Sequence, residues 1–169
     1  MKYAHIERER KFLLAGDINL VEGLPYKVIT DHYVKHTQLR FRMVTDNNGT
    51  IYKLTQKAHS SKGQAPITTI YLQEPEYKLL NIFDSVSVEK IRYIRNYGDF
   101  VLGIDKYLKG NDEIWLAEVE FNSDEEMKNF TPPFSYLDEV TDDTNYNGFT
   151  IGPKICNCHR KLKHLIYHW

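Results

Sequence analysis

In the stretch HIERERKFLL, His5 to Leu14, three groups able to do chemistry recur at every second residue: Glu7, Glu9 and Lys11. In a β-strand successive side chains point to opposite faces, so these three share one face while Ile6, Arg8, Arg10, Phe12 and Leu14 take the other. The same spacing returns in Arg40 and Arg42, in Lys53 and Lys57 with Thr55 between them, in Lys90 and Arg92, and in Glu118 and Glu120. In EIWLAEVEF the faces are forced: Trp115, Ala117, Val119 and Phe121 fall together, leaving Glu118 and Glu120 pointing away from the apolar layer. Carboxylates without Cys or His beside them are hard oxygen ligands, suited to Mg2+ or Mn2+. Rows of Arg and Lys bind phosphate, Arg as a planar fork and Lys as a point charge. Any one such pair is ordinarily a solvated outer face. Five in one small chain describe a charged interior that holds a polyanion between basic rows and a divalent metal. With Asp105 added, the candidate inward groups are five acids and seven bases. That positive surplus favours a strongly anionic ligand such as a triphosphate.

The elements that must carry these residues are mostly strands. AGDINLVEGLP reads as a loop or short helical connection, and TQLRFRMV resumes strand alternation. Asn and Gly in DNNG, 46 to 49, signal a hairpin turn into TIYKLTQKA. ITTIYL is rich in β-branched and aromatic residues and is a further strand. EPEYKLLNIF, with Pro75 in its first turn and acids around it, is a predicted helix. VEKIRYIRNY and FVLGIDKYLK form a hairpin about Gly98 and Asp99, which places Asp105 across from the Lys90 and Arg92 strand. EIWLAEVEF follows, then NSDEEMKNF, where Ser123 and Glu126 have capping-box spacing and Pro132 and Pro133 mark the end. The expected class is α+β, mostly β: antiparallel strands closed into a barrel, because closure removes edges, with the helices packed outside.

The length of 169 residues, 41% hydrophobic and 27% charged, suits one domain with a real core. The expected division is a barrel domain over 1–153 and a basic tail over 154–169, KICNCHRKLKHLIYHW, that could be helical. A formal net charge of -1 gives no global attraction to nucleic acid or an anionic membrane, so neither is an expected partner. No signal-peptide core and no run of about 20 apolar residues occurs, and the expected location is the cytoplasm. Cys156 and Cys158, one residue apart, are poorly spaced for a disulfide. With His159 they could mimic zinc ligands, but in a basic tail they read as incidental. Lys161, Lys163 and His164 form a solvated face or cap one mouth of the barrel. The twelve tyrosines are read as packing and hydroxyl anchors rather than a base-stacking platform.

Glu7-x-Glu9-x-Lys11 resembles the ExExK signature that opens the CYTH superfamily, the triphosphate tunnel metalloenzymes. The resemblance continues in order through LRFR, KLTQK, EKIRY, GIDKYLKG, LAEVEF and PPFSYLDEVTDDTNY, covering roughly residues 5 to 149. It implies an eight-stranded antiparallel barrel enclosing a tunnel for triphosphate and divalent metal, Mg2+ or Mn2+. Glu7, Glu9, Glu118 and Glu120 would be the metal ligands, and Arg40, Arg42, Lys53, Lys57, Lys90 and Arg92 would bind the phosphates. Lys11 would sit near the attacked phosphate and help orient water, with Asp105 a further acidic member of the catalytic set. Many relatives carry a non-basic residue in place of Lys53. Many also place glutamates on the strand matching ITTIYL, where this chain has Thr68 and Ile70 or Thr69 and Tyr71. The implied activity is metal-dependent hydrolysis of a triphosphate, with inorganic tripolyphosphate favoured because nothing suggests a nucleoside pocket. No GxxxxGK[ST] phosphate loop is present. The alternatives are adenylate cyclase activity, thiamine or nucleoside triphosphate hydrolysis on the same scaffold, and a non-catalytic polyphosphate-binding module. The expected partner is the small-molecule triphosphate, and the expected state a monomer or homodimer.

Overall fold

A computed structural model describes residues 4–16, 18–58, 61–109 and 112–152. Eight antiparallel strands follow in chain order: β1 (His5–Leu14), β2 (Tyr26–Val34), β3 (Leu39–Asp46), β4 (Gly49–Lys57), β5 (Gln64–Leu72), β6 (Ser85–Tyr97), β7 (Phe100–Lys109) and β8 (Asp112–Glu120). Their order in the sheet is β5-β4-β3-β2-β6-β7-β8-β1, and pairing of β1 with β5 closes it into a barrel. Two short α-helices, α1 (Glu74–Leu79) and α2 (Asp124–Asn129), a two-residue strand, β9 (Asp138–Glu139), and three single-turn 3-10 helices, Ile18–Leu20, Leu80–Ile82 and Thr144–Tyr146, complete the described elements. Among the described residues no helix is long and apolar enough to cross a membrane.

Closure depends on β1 changing partners. Its first half, His5 to Arg8, pairs with β5, while Glu9 to Leu14 pair with β8 on the other edge. Where β5 leaves, β9 takes over beside Phe12 and Leu13. The seam between them is bonded: Glu9 N–H donates to the Gly63 carbonyl at 2.8 Å, and Lys11 N–H donates to the Thr141 hydroxyl at 3.1 Å. Gly63 has a φ of 70°, and a Cβ there would lie 2.4 Å from the Glu9 carbonyl oxygen, so only glycine fits.

The apolar layer lies largely on the outside of the barrel, under the connections. Phe12, Leu14, Leu102, Ile104, Trp115, Ala117, Val119 and Phe121 pack with Val21 and Phe130, covering the outer face of β1, β7 and β8. Phe41, Leu39, Met43, Tyr52 and Leu54 form a second patch, under Tyr77 and Leu80. A third cluster reverses this geometry. Val88, Tyr107 and Leu116 share the inner-face register and meet Val140, Tyr146 and Ile151 of the C-terminal segment, which fills that part of the barrel's end.

The predicted hairpins and the EIWLAEVEF strand are present, as are both helices. At α2 the Ser123 hydroxyl accepts from Glu126 N–H at 3.1 Å, while Glu126 reaches back to Asn122 N–H at 2.9 Å, one residue before the usual capping-box donor. The sequence reading passes over one strand, β2, which lies between the AGDINLVEGLP connection and β3 and pairs with β3 and β6. The predicted tail, with Cys156, Cys158, His159, Lys161, Lys163 and His164, lies outside the described residues.

Candidate functional site

Strand register brings the charged rows together on the inner face. Across β1 and β8, Glu9 lies opposite Glu120 and Lys11 opposite Glu118. Arg42 faces Asp31 on one side and Lys53 on the other, and Arg92 faces Asp105. Ten of the twelve predicted residues line one cavity of about 160 Å³: Glu7, Glu9, Lys11, Arg40, Arg42, Lys57, Lys90, Arg92, Glu118 and Glu120. Tyr33, Tyr107 and the segment Asn147 to Phe149 complete its wall. Gly148 is required there by close approach, since a Cβ would lie 2.1 Å from the Tyr33 hydroxyl oxygen.

The other two predicted residues do not line it. Asp105 shares the inner face but is fully buried beneath the cavity, where it accepts hydrogen bonds from Lys90 Nζ and, at 2.6 Å each, from Arg92 Nε and Nη2. Lys53 lies outside the cavity, with its Nζ 5.2 Å from the centre of the Tyr71 ring. Arg8 and Arg10 face outward as the alternation predicts: Arg8 pairs with Asp124, and Arg10 forks onto Glu139 at 2.7 and 2.8 Å. On β5 the inward residues are Ala65, Ile67, Thr69 and Tyr71, so this strand brings no charge to the interior. Its Thr69 hydroxyl is bonded to that of Thr55 at 2.9 Å.

Sequence reasoning missed Asp31. It is 1% exposed and accepts from Arg42 Nε at 2.5 Å and Nη2 at 2.7 Å, with Arg40 Nε at 3.6 Å. Burial alone would raise its pKa, but Arg42 and then Arg40 outweigh it and bring it down to about 2. Asp31 holds Arg40 and Arg42, and Asp105 holds Lys90 and Arg92, each by ion pairs made beneath the cavity. A lone acid with no partner at spacing two escapes a search for paired charges. The alternation of Lys27, Ile29, Asp31 and Tyr33 in YKVITDHYV was the signal available.

The carboxylates facing the cavity are unequal. Glu118 is driven well below the ordinary value, because Lys90, Arg92 and Lys11 outweigh its burial. Glu120 is raised by burial and by its neighbours Glu7 and Glu9. Lys11 stays firmly protonated: burial opposes its charge, but Glu9 and Glu118 raise its pKa above the usual. Lys90 is lowered, by burial first and by Arg92 second.

At this site Glu7 Oε2 is held by the Lys57 ammonium, while the buried Arg40 Nε, 3.6 Å from Asp31, has no hydrogen-bond partner. A buried guanidinium N–H without an acceptor is the demand that an anion meets. Mutual repulsion at Glu120 and the all-oxygen donor set of Glu7, Glu9, Glu118 and Glu120 fit a hard divalent cation. As they stand, Glu7, Glu9 and Glu118 are turned toward Lys57, Lys11 and Arg92. Among the described residues no three His, Cys, Asp or Glu side chains are gathered closely enough to hold a metal.

No family model and no curated protein matches the sequence. Solved structures do. The inorganic triphosphatase NE1496 is 26% identical over 86% of this chain and 97% of its own, with a TM-score of 0.56. An adenylate cyclase candidate from Bacillus halodurans is 18% identical over 75% of this chain and 86% of its own, with a TM-score of 0.56. HpAC1 from Hippeastrum, an adenylyl cyclase candidate with a dominant triphosphatase activity, is 12% identical over 72% and 82%, with a TM-score of 0.50. At such identities these last two bear on the fold alone. The structural neighbours of this chain are CYTH-family proteins, and it shares their closed eight-stranded barrel.

Proposed function

We propose that the chain is a metal-dependent triphosphatase that hydrolyses inorganic tripolyphosphate inside the barrel. The observation that carries this reading is the convergence of six basic side chains and four glutamates on one cavity of about 160 Å³. The similarity to the inorganic triphosphatase NE1496 supports it. Phosphoryl transfer asks mainly for charge neutralisation and alignment, with little covalent work from the protein. Arg40, Arg42 and Arg92 offer forks to phosphate oxygens, and Lys57 and Lys90 offer point charges. Lys11, protonated between Glu9 and Glu118, cannot serve as a base. Its role is to neutralise charge and orient the reacting phosphate and water. Asp105 acts through Lys90 and Arg92, as a positioning residue. Glu7, Glu9, Glu118 and Glu120 would hold Mg2+ or Mn2+, which supplies further charge neutralisation on the phosphates.

The test is phosphate release from tripolyphosphate, pyrophosphate, ATP and thiamine triphosphate, with each divalent metal and with EDTA. Release from tripolyphosphate that needs metal is expected. Cyclic AMP from ATP would replace this reading with cyclase activity, and preferred release from ATP or thiamine triphosphate with an organic substrate. Tight tripolyphosphate binding with no release under any metal would mark a binding module.

A further inference from the structure

The cations of the inner face do not stop at the cavity. On the side away from Tyr107 and Leu116, the register steps from Arg92 to Lys27 on β2 and from Arg42 to Lys53 on β4. Neither lysine lines the cavity, so both stand outside the ring that would grip a triphosphate. They lie on the two strands flanking β3 but at different levels, Lys27 beside Asp46 and Lys53 opposite Arg42, which leaves Val44 midway and puts their Cα atoms roughly 16 Å apart. Each is one strand over and two residues along from Val44, roughly 8 Å, so both four-carbon side chains, extended toward each other, can reach one anion lying over Val44.

Their present partners are weak. Among the described residues no carboxylate pairs with Lys53, and its ammonium rests against Tyr71, a ring 71% exposed at the rim. Lys27 is 3.6 Å from Asp46, whose other oxygen accepts from Asn48 N–H at 2.8 Å in the β3–β4 turn. Asp46 is therefore fixed by the turn and stays behind when Lys27 swings toward the barrel axis. The inner arginines differ, being held by buried aspartates.

We propose that Lys27 and Lys53 form an outer anion subsite that holds the next phosphate of a linear polyphosphate longer than three units, so that the substrate class extends from tripolyphosphate to tetrapolyphosphate and longer chains. The chain would lie end-on, with its inner phosphates among Arg40, Arg42, Lys57, Lys90 and Arg92 and the next one over Val44. This rests on the triphosphatase reading, and its failure is separable from failure of that reading.

The experiment compares kcat and KM for tripolyphosphate and tetrapolyphosphate in the wild type, K27Q, K53Q, the double variant and K53R. The expected result is that the double variant raises KM for tetrapolyphosphate about tenfold relative to that for tripolyphosphate, the worth of one charge-assisted hydrogen bond. K53R should restore most of the difference. Equal changes for the two substrates, or none for either, would overturn the subsite. If the wild type hydrolyses neither anion, the triphosphatase reading fails by itself, and the subsite is judged by calorimetric binding of both anions. Tighter tetrapolyphosphate binding that the double variant loses supports it, and equal affinities refute it.

Discussion

Replacing Asp31 by Asn isolates the device that holds the basic row in place. The shape of the side chain is kept, but its charge is lost, and one carboxylate oxygen becomes an amide donor. Arg42 Nε and Nη2, now 2.5 and 2.7 Å from the two oxygens, then have one acceptor and a donor-to-donor contact. Two bounds set the size of the effect. The drop of the Asp31 pKa from the ordinary 3.8 to about 2 corresponds to about 2 kcal/mol of folding stability. Removing one partner of a buried ion pair costs about 3–5 kcal/mol, because the other charge is left uncompensated. A loss of about 3 kcal/mol is expected, lowering the urea midpoint by roughly 1–2 M at a slope near 2 kcal/mol/M. Because the folded pKa is depressed, the wild-type advantage is complete above the unfolded pKa of about 4 and disappears as pH falls toward 2. Urea titrations of both proteins from pH 2 to 8 measure it. A gap below about 1 kcal/mol at pH 7, or one that persists unchanged at pH 2, would refute the account of Asp31 as a buried counter-charge.

Glu118→Gln should leave the fold intact and, on the proposed function, reduce metal-supported phosphate release by about a hundredfold or more, since one of the four carboxylates that would hold the metal loses its charge; steady-state assays and circular dichroism separate the two effects. Glu120 has a raised pKa, so it takes up a proton as the medium becomes mildly acidic and weakens as a metal donor there. Titrating activity with Mg2+ or Mn2+ at a series of pH values should show metal demand climbing on that acid side, and a flat metal dependence would contradict it. Arg10→Gln, on the outer face, removes the fork to Glu139 and the 2.7 Å bond to the Phe130 carbonyl. A stability loss of about 1–3 kcal/mol is expected by chemical denaturation, with KM for tripolyphosphate unchanged.

Alternation alone separates Glu7, Glu9 and Lys11 from Arg8 and Arg10, because a two-residue period is a geometric property of any strand. The forced faces of EIWLAEVEF extend that logic to Glu118 and Glu120. The distinction between lining and supporting charge is not legible in the same way. Asp105 and Lys53 obey the spacing yet sit beneath and outside the cavity, because their place depends on strand tilt and on their cross-strand neighbours, Arg92 and Tyr71. Asp31 shows the converse, since its meaning comes from β3, its partner strand. The filling of one barrel end by Val140, Tyr146 and Ile151 likewise arises from contacts distant in sequence.

The two aspartates beneath the cavity also change what association costs. Free Lys and Arg side chains each carry about 2 kcal/mol of rotamer entropy, and a site of loose cations would surrender it each time a ligand arrived. Here Arg42, Lys90 and Arg92 are immobilised when the chain folds, by anions that do not leave. An incoming polyanion meets donors already aimed, so its binding should be limited by stripping water from its own oxygens rather than by ordering the protein.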